Sequence, residues 1–304
     1  MPRTVIAGID GSAESRAAAF WAAREAALRG LPLSVLHVWQ PWTHTAAFAS
    51  PGAVVAPRAT GSDESWAERL LRETEDEVRA RHPRLDLSLE RVPGHPVEVL
   101  GAAADEAEVL VLGSRALGTV TGFLTGSVSM SVLARARRPV VLVRPEGTGD
   151  GAPATATSGV GQNGDVVLGL DLTGPCDPLV EYAVNAAGVR EAALRVVHTW
   201  APPPVFGYDP AAVDPQHIAA LGHREQDALE EALQPWRAKY PQVRIEPRCV
   251  ADRPAARLVE AAEDAALLVV GRRIRSHGGL VRIGPVTHAV LHHARTPVAV
   301  VPHA

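Results

Sequence analysis

The chain contains two copies of one pattern. Asp10, His37 and Trp39 recur as Asp171, His198 and Trp200 at an offset of 161 residues. Pro83, Pro96, Gly113, Gly126 and Pro139 recur as Pro241, Pro254, Gly271, Gly284 and Pro297 at an offset of 158. A three-residue difference in the loop after the second strand-like run accounts for the change of register. A duplication restricts the fold more than any composition does, because whatever one copy of about 145 residues forms, the chain must form twice.

Each copy alternates short apolar runs with stretches of helical spacing. In the first, Thr4–Ile9, Leu33–Val38, Leu85–Val92, Val109–Leu112 and Val140–Val143 are expected as strands. Ala13–Arg29, Asp63–Arg81, Pro96 to about Glu106, and Ser127–Ala136 are expected as helices. The second copy restarts at Asp165–Leu170 and follows with helix Pro178–Val189, strand Leu194–Val197 and helix His217–Tyr240. Strand Val243–Val250, helix Pro254–Ala262, strand Leu267–Val270, helix Pro285–His293 and strand Val298–Val301 complete it. Strands alternating with helices make parallel βα units, and fully apolar strands are those covered on both faces. The fold class is therefore α/β, as two tandem doubly wound parallel-sheet domains over 1–146 and 165–304. Residues 147–164, rich in Gly, Thr, Ala and Ser without periodicity, make a linker. On the first helix Ala17, Phe20, Trp21, Ala27 and Leu28 are placed on or near the apolar face, with Arg16, Arg24 and Arg29 outside.

Composition excludes several function classes. With 46% hydrophobic and 21% charged residues and a net charge of −4, the chain is globular and has no general affinity for nucleic acid or an anionic membrane. No uncharged apolar stretch is long enough to span a bilayer, and no secretory leader opens the chain, so a cytoplasmic protein is expected. Cys176 and Cys249 are too few for a disulfide framework or a metal knuckle. Lys239 is the only lysine, which rules out a phosphate loop of the G-x-x-x-x-G-K-[ST] type.

In an open parallel sheet, ligands bind beyond the carboxyl ends of the strands, where strand order reverses. Asp10 and Gly113 both end strands, and Gly126-Ser127-Val128-Ser129 presents backbone amides at a helix start. Such a terminus favours an anion through oriented N–H groups and the helix dipole. A carboxylate at one end and an anion cradle at the other suit a ribose phosphate. The plainer alternatives are that Asp10 caps the following helix and that Gly126-Ser127 is a turn and N-cap.

The Gly8-Ile9-Asp10-Gly11-Ser12 run, His37-Val38-Trp39 after the second strand, and the spacing from Gly113 to Gly126-Ser127 resemble the universal stress protein family, in its ATP-binding, tandem-domain form. The resemblance implies Rossmann-like five-stranded sheets in the order 3-2-1-4-5 and ATP bound, with or without Mg2+, through G-x2-G-x9-G-[ST]. Carried over, Gly113, Gly126, Ser127 and Val128 hold phosphates, with Arg115, Gly118 and Ser129 beside them. Asp10, Ile9 and the backbone at Val38 hold adenosine, and Leu112 lies near the base or ribose. Two departures matter. The middle glycine is Ala116, which points to Gly118 as its replacement, and the second copy has Ile274 and Pro285 where the motif wants Gly and Ser. There Asp171, Gly271, Arg272 and Gly284 are the candidates, with Arg273, Arg275 and Arg282 as further anion contacts.

Other features carry less. Gly159–Gly164 spells G-x-G-x-x-G but lies in the linker, where it neither follows a strand nor opens a helix. His288, His292 and His293 have no accompanying carboxylate or cysteine and are taken as surface or interface histidines, so no metal site is expected. His37 and His198 are assigned to strand-end packing rather than base catalysis, and Trp39 and Trp200 to packing rather than base stacking. Three functions compete. They are a nucleotide-binding regulatory protein of the stress response with at most slow hydrolysis, a dimerising scaffold that has lost the nucleotide, and an adenylyl-transferring enzyme whose Ser-Gly-Gly-x-Asp-Ser or His-x-x-His signature is absent. The edge strands Val140–Val143 and Val298–Val301 are expected to pair with each other or across a homodimer, as in the family.

Overall fold

The computed structural model describes residues 3–40, 60–114, 127–145, 164–201, 215–274 and 283–304. In the first half, β1 (Val5–Ile9), α1 (Ala13–Arg29), β2 (Leu33–Trp39), α2 (Thr60–Arg81), β3 (Leu87–Pro93), α3 (Pro96–Glu106), β4 (Val109–Gly113), α4 (Ser127–Arg135) and β5 (Val140–Val143) follow one another. The second half repeats them as β6 (Val166–Gly169), α5 (Asp177–Gly188), β7 (Leu194–Trp200), α6 (Pro215–Lys239), β8 (Ile245–Ala251), α7 (Pro254–Ala261), β9 (Leu267–Arg273), α8 (Pro285–His293) and β10 (Val298–His303). The linker expected over 147–164 lies outside the described residues, Gly164 apart.

Each half has the strand order 3-2-1-4-5, and the halves join edge to edge in one ten-stranded sheet, β3-β2-β1-β4-β5-β10-β9-β6-β7-β8. All neighbours are parallel except at the join, where β5 and β10 run antiparallel with Val298 opposite Leu142, Ala299 opposite Val141 and Val300 opposite Val140. Of the two expected pairings the strands take the one with each other, which leaves no edge there for the homodimer contact. The two edge strands pair inside one chain, and each is flanked on its other side by β4 or β9, so neither offers backbone groups to a second copy.

One core lies between the sheet and α1, α2, α5 and α6, the other between the sheet and α3, α4, α7 and α8. On α1 the buried face differs from the expected one. Ser15, Ala18, Ala19, Ala22, Ala23, Glu25 and Ala26 face inward, while Phe20 and Trp21 flank the helix and Leu28 is exposed. The reason is closeness. A methyl group on Gly113 would stand 2.6 Å from the backbone carbon of Glu14, so α1 rides on β4 at a distance that only small side chains allow.

The buried stripe of α1 ends in charge at the seam between halves. Glu25 is 1% exposed and accepts from Arg29 Nε at 2.6 Å and from Arg190 Nη2 of the second half. Arg29 and Arg190 are equivalent positions of the repeat, as are Trp21 and Tyr182. Each arginine lies over the other half's aromatic ring, 5.3 Å for Arg29 on Tyr182 and 5.9 Å for Arg190 on Trp21. One carboxylate thus serves two arginines related by a pseudo-twofold axis, and Ala186 stands where a second glutamate would be. Burial alone would raise the Glu25 carboxyl, but Arg190 and Arg29 outweigh it and hold the group below its ordinary pKa. Burial also pushes the Tyr182 phenol up to about 12.

On the opposite face each half caps a helix of the other. Arg144 Nη2 donates to the carbonyls of Leu291 (2.5 Å) and His292 (2.9 Å) at the end of α8. Arg272 Nη2 donates to the carbonyl of Ala136, just past α4. Cations at helix C-termini satisfy orphan carbonyls and complement the dipole.

Candidate functional site

The strand order 3-2-1-4-5 reverses between β1 and β4, and their carboxyl ends open a cleft of about 280 Å³. Ile9, Asp10, Val38, Leu112, Gly113, Ser127, Val128 and Ser129 all line it, although the sequence spreads them over the whole first half. Arg115, Gly118 and Gly126, the remaining first-half candidates, lie outside the described residues. Gly8, Ser12, Glu14, Ser15, Leu36, Pro96 and Leu100 also line the cleft and were not among the site candidates. Some of these had a legible signal. Leu36 shares the face of Val38 by strand alternation, and Leu100 shares that of Pro96 one helical turn on. Ser15 and Glu14 reach the site only because α1 sits so close to β4.

The cleft has two chemical ends. Leu36, Val38, Leu100, Leu112 and Pro96 make an apolar wall, while Asp10, Ser12, Glu14, Ser15, Ser127 and Ser129 supply oxygens. No lysine, arginine or histidine lines it among the described residues. Asp10 Oδ1 accepts from the Ser12 amide at 3.0 Å and from the Ser12 hydroxyl at 2.6 Å. Ser12 is the N-cap of α1, its hydroxyl accepting from the Ser15 amide at 3.2 Å. Asp10 therefore does not cap the helix itself; it fixes the residue that does. Gly11 between them has φ +84°, a conformation that favours glycine.

Ser127 is exposed at the first position of α4, whose first turn carries no acidic residue. Ser129 acts on the scaffold, since its hydroxyl donates to the Gly113 carbonyl at 3.1 Å and pins α4 to the end of β4. Thr287 repeats that bond to Gly271 at 2.8 Å. His37 Nδ1 bonds the Ile9 carbonyl at 2.9 Å, and His198 Nδ1 the Leu170 carbonyl at 2.9 Å. Both histidines are buried, tying the second strand of each half to the first, as the packing assignment expected. Trp39 does not line the cleft; it lies under Arg91, whose guanidinium is 4.8 Å from the ring.

The corresponding place in the second half is differently furnished. Asp171 Oδ1 accepts from the Thr173 amide at 3.0 Å, the same turn that Asp10 makes with Ser12. Its other oxygen faces Arg273 at 3.3 Å, and Arg273 also donates to the Thr173 hydroxyl at 3.0 Å. The turn alone gives each half a reason to keep its aspartate. A methyl group on Gly271 would meet His303 Nε2 at 2.5 Å. Gly284 is the N-cap of α8, followed by Pro285, which brings no amide hydrogen. Arg272 is not an anion contact at this end of the sheet. It is 4% exposed, its guanidinium is engaged by the Ala136 carbonyl of the first half, and burial lowers its pKa.

Residues 1–144 and 163–302 each match the sequence profile of the Universal stress protein family. A universal stress protein of Mycobacterium tuberculosis strain H37Rv is 33% identical over 312 residues, which covers 97% of this chain and 96% of the relative. A second universal stress protein of that strain is 30% identical over 297 residues, covering 97% and 95%. Among solved structures, a universal stress protein from Archaeoglobus fulgidus DSM 4304 superposes with a TM-score of 0.67 at 15% identity, covering 99% of this chain and 98% of that one. This last likeness is one of fold.

Proposed function

The chain belongs to the universal stress protein family, and on that premise we propose that its first half binds ATP in the cleft at the ends of β1 and β4. The observation that carries the reading is the convergence of Ile9, Asp10, Val38, Leu112, Gly113, Ser127 and Val128 on one cleft at the switch point. The apolar wall takes the adenine, and the Asp10–Ser12 end takes the ribose. The phosphates lie against the start of α4, where backbone amides and the Ser127 hydroxyl meet them. At about 280 Å³ the cleft is at the small end for ligand sites, which suits a nucleoside held inside with its phosphates outside.

Asp10 and Glu14 would repel a bare triphosphate, so Mg2+ accompanies the nucleotide and screens them. Phosphoryl transfer needs positive charge on the transferring group, and no basic side chain lines the described cleft. Hydrolysis is accordingly slow if it occurs, and the role is regulatory. The second half fits the scaffold reading instead, because Asp171 is paired with Arg273 and Pro285 replaces Ser127 at the helix start.

The test is purification without added nucleotide, followed by denaturation and chromatography of what is released, and calorimetric titration with Mg-ATP. One adenine nucleotide per chain, or one calorimetric site, is expected. A chain that releases none and gives no heat leaves only the scaffold.

A further inference from the structure

We propose that α8 carries a two-histidine site for a d-block dication, formed by the Nε2 atoms of His288 and His292. Four residues separate the two on one helix face, and their Nε2 atoms stand 3.3 Å apart with ring centroids 4.4 Å apart. Two imidazole nitrogens bound at about 2.0–2.1 Å lie about 3.3–3.4 Å apart at a tetrahedral angle and about 2.8–3.0 Å apart at the right angle that Cu2+ prefers, a few tenths of an ångström from the distance here. The pair is therefore already spaced as a chelate.

The scaffold beneath is fixed. Val290 and Leu291 are buried, Thr287 holds the start of α8 to Gly271, and Arg144 holds its end through the carbonyls of Leu291 and His292. A site on a helix tied at both ends loses little entropy on binding. In the metal-free chain one Nε2 donates to the other. In the metal-bound state both Nε2 atoms are unprotonated, so the ring that donates in the free chain carries its proton on Nδ1.

Imidazole ligands select Cu2+, Ni2+ and Zn2+ over Mg2+ and Ca2+, and Cu2+ stands highest in the divalent series. Among the described residues no group of three or more His, Cys, Asp or Glu is placed to hold a metal, so water completes the coordination. The two histidines belong to the second half and are not among the residues that line the first-half cleft.

The experiment uses the tag-free full-length chain titrated with CuCl2, followed by calorimetry and electron paramagnetic resonance. Variants His288→Ala and His292→Ala are compared, with His223→Ala as a control. One strong site with two nitrogen ligands is expected, with affinity falling in the order Cu2+, Ni2+, Mg2+. Each α8 variant should weaken Cu2+ binding about tenfold or more, since a single imidazole lacks the effective-concentration gain of a chelate. His223→Ala should leave it unchanged. His288 is exposed, so its variant folds, and matching circular dichroism confirms this. Undiminished Cu2+ affinity in either α8 variant, a one-nitrogen spectrum, or no binding at tens of micromolar Cu2+ overturns the proposal.

Discussion

The two halves share strand order, histidine ties, the aspartate turn and the hydroxyl pin between last helix and fourth strand, yet among the described residues the surroundings of the two aspartates differ. Asp10 and Asp171 make the same bond to the residue two positions on. What separates them is the neighbour: Glu14 and Ser127 surround the first, whereas Arg273 is paired with the second. The comparison teaches that a duplicated motif can persist for reasons of backbone geometry while the side chains around it change. Keeping a turn takes one carboxylate oxygen, whereas binding a nucleotide takes a whole cleft.

The halves also differ where they meet, and the largest expected effect lies there. Glu25→Ala leaves Arg29 and Arg190 buried without their shared carboxylate and should cost about 3–5 kcal/mol in urea unfolding. A cost near zero would mean that one half alone supplies the seam's stability. The sign of the pH dependence follows from the same group. Its folded pKa is depressed, so its stabilisation is complete at neutral pH and is lost as pH falls below the ordinary glutamate value of about 4.3. That acid slope should shrink in Glu25→Ala. Tyr182 acts at the alkaline end: with its pKa at about 12, its contribution is complete below the ordinary phenol value and lost as pH rises towards 12.

Next in size are the paired glycines. Gly113→Ala sets a methyl group against α1 backbone, 2.6 Å from a Glu14 atom, and should cost about 1–3 kcal/mol and weaken nucleotide binding with it. Gly271→Ala meets a side chain instead, the Nε2 end of the His303 ring, which can turn aside where backbone cannot. Denaturation midpoints should therefore drop further for Gly113→Ala; equal losses would show that α1 can shift as easily as a histidine.

Smaller again is Ser127→Ala, which removes one donor from the proposed phosphate site. It should weaken Mg-ATP binding by about 1 kcal/mol in calorimetry while leaving the unfolding curve in place. Unchanged affinity would move the phosphates elsewhere. Smallest is Asp171→Asn, which loosens an exposed contact worth about 0–1 kcal/mol and should not alter nucleotide affinity at all. A loss of affinity there would place nucleotide binding in the second half as well.

Much of the fold was legible from particular residues. Pro96 opens α3, and the apolar runs mark the parallel strands because covered strands need no alternation, whereas the cap of α1 is Ser12 and not the Asp10 offered for it. The first-half cleft was legible as far as strand ends and the start of α4 go. The face of α1 was not. Hydrophobicity favours Phe20, Trp21 and Leu28 for the interior, but the close approach of the helix to β4 admits only alanine, serine and one ion-paired glutamate. Glu25 did carry a sign, since it falls in the stripe of Ser15, Ala18 and Ala22. Helical periodicity counts it as polar, and nothing local tells that two arginines will neutralise it. The misplacement of Arg272 has the same origin. Its position next to Gly271 suggests the ligand end of the strand, while its side chain runs to a helix of the other half.

The sequence by itself determined the duplication, the alternating βα order, and which backbone positions reach the switch point, because each of these is written in local spacing. Only the tertiary structure decided that the two short apolar edge strands close on each other within one chain. It also decided that Arg144 and Arg272 cap the opposite halves, and that Arg273 is paired with Asp171. These depend on contacts between residues about 100 to 150 positions apart, as in Arg272 with Ala136 or Arg144 with His292. Side-chain direction there is set by what the other half presents, a fact no local window contains.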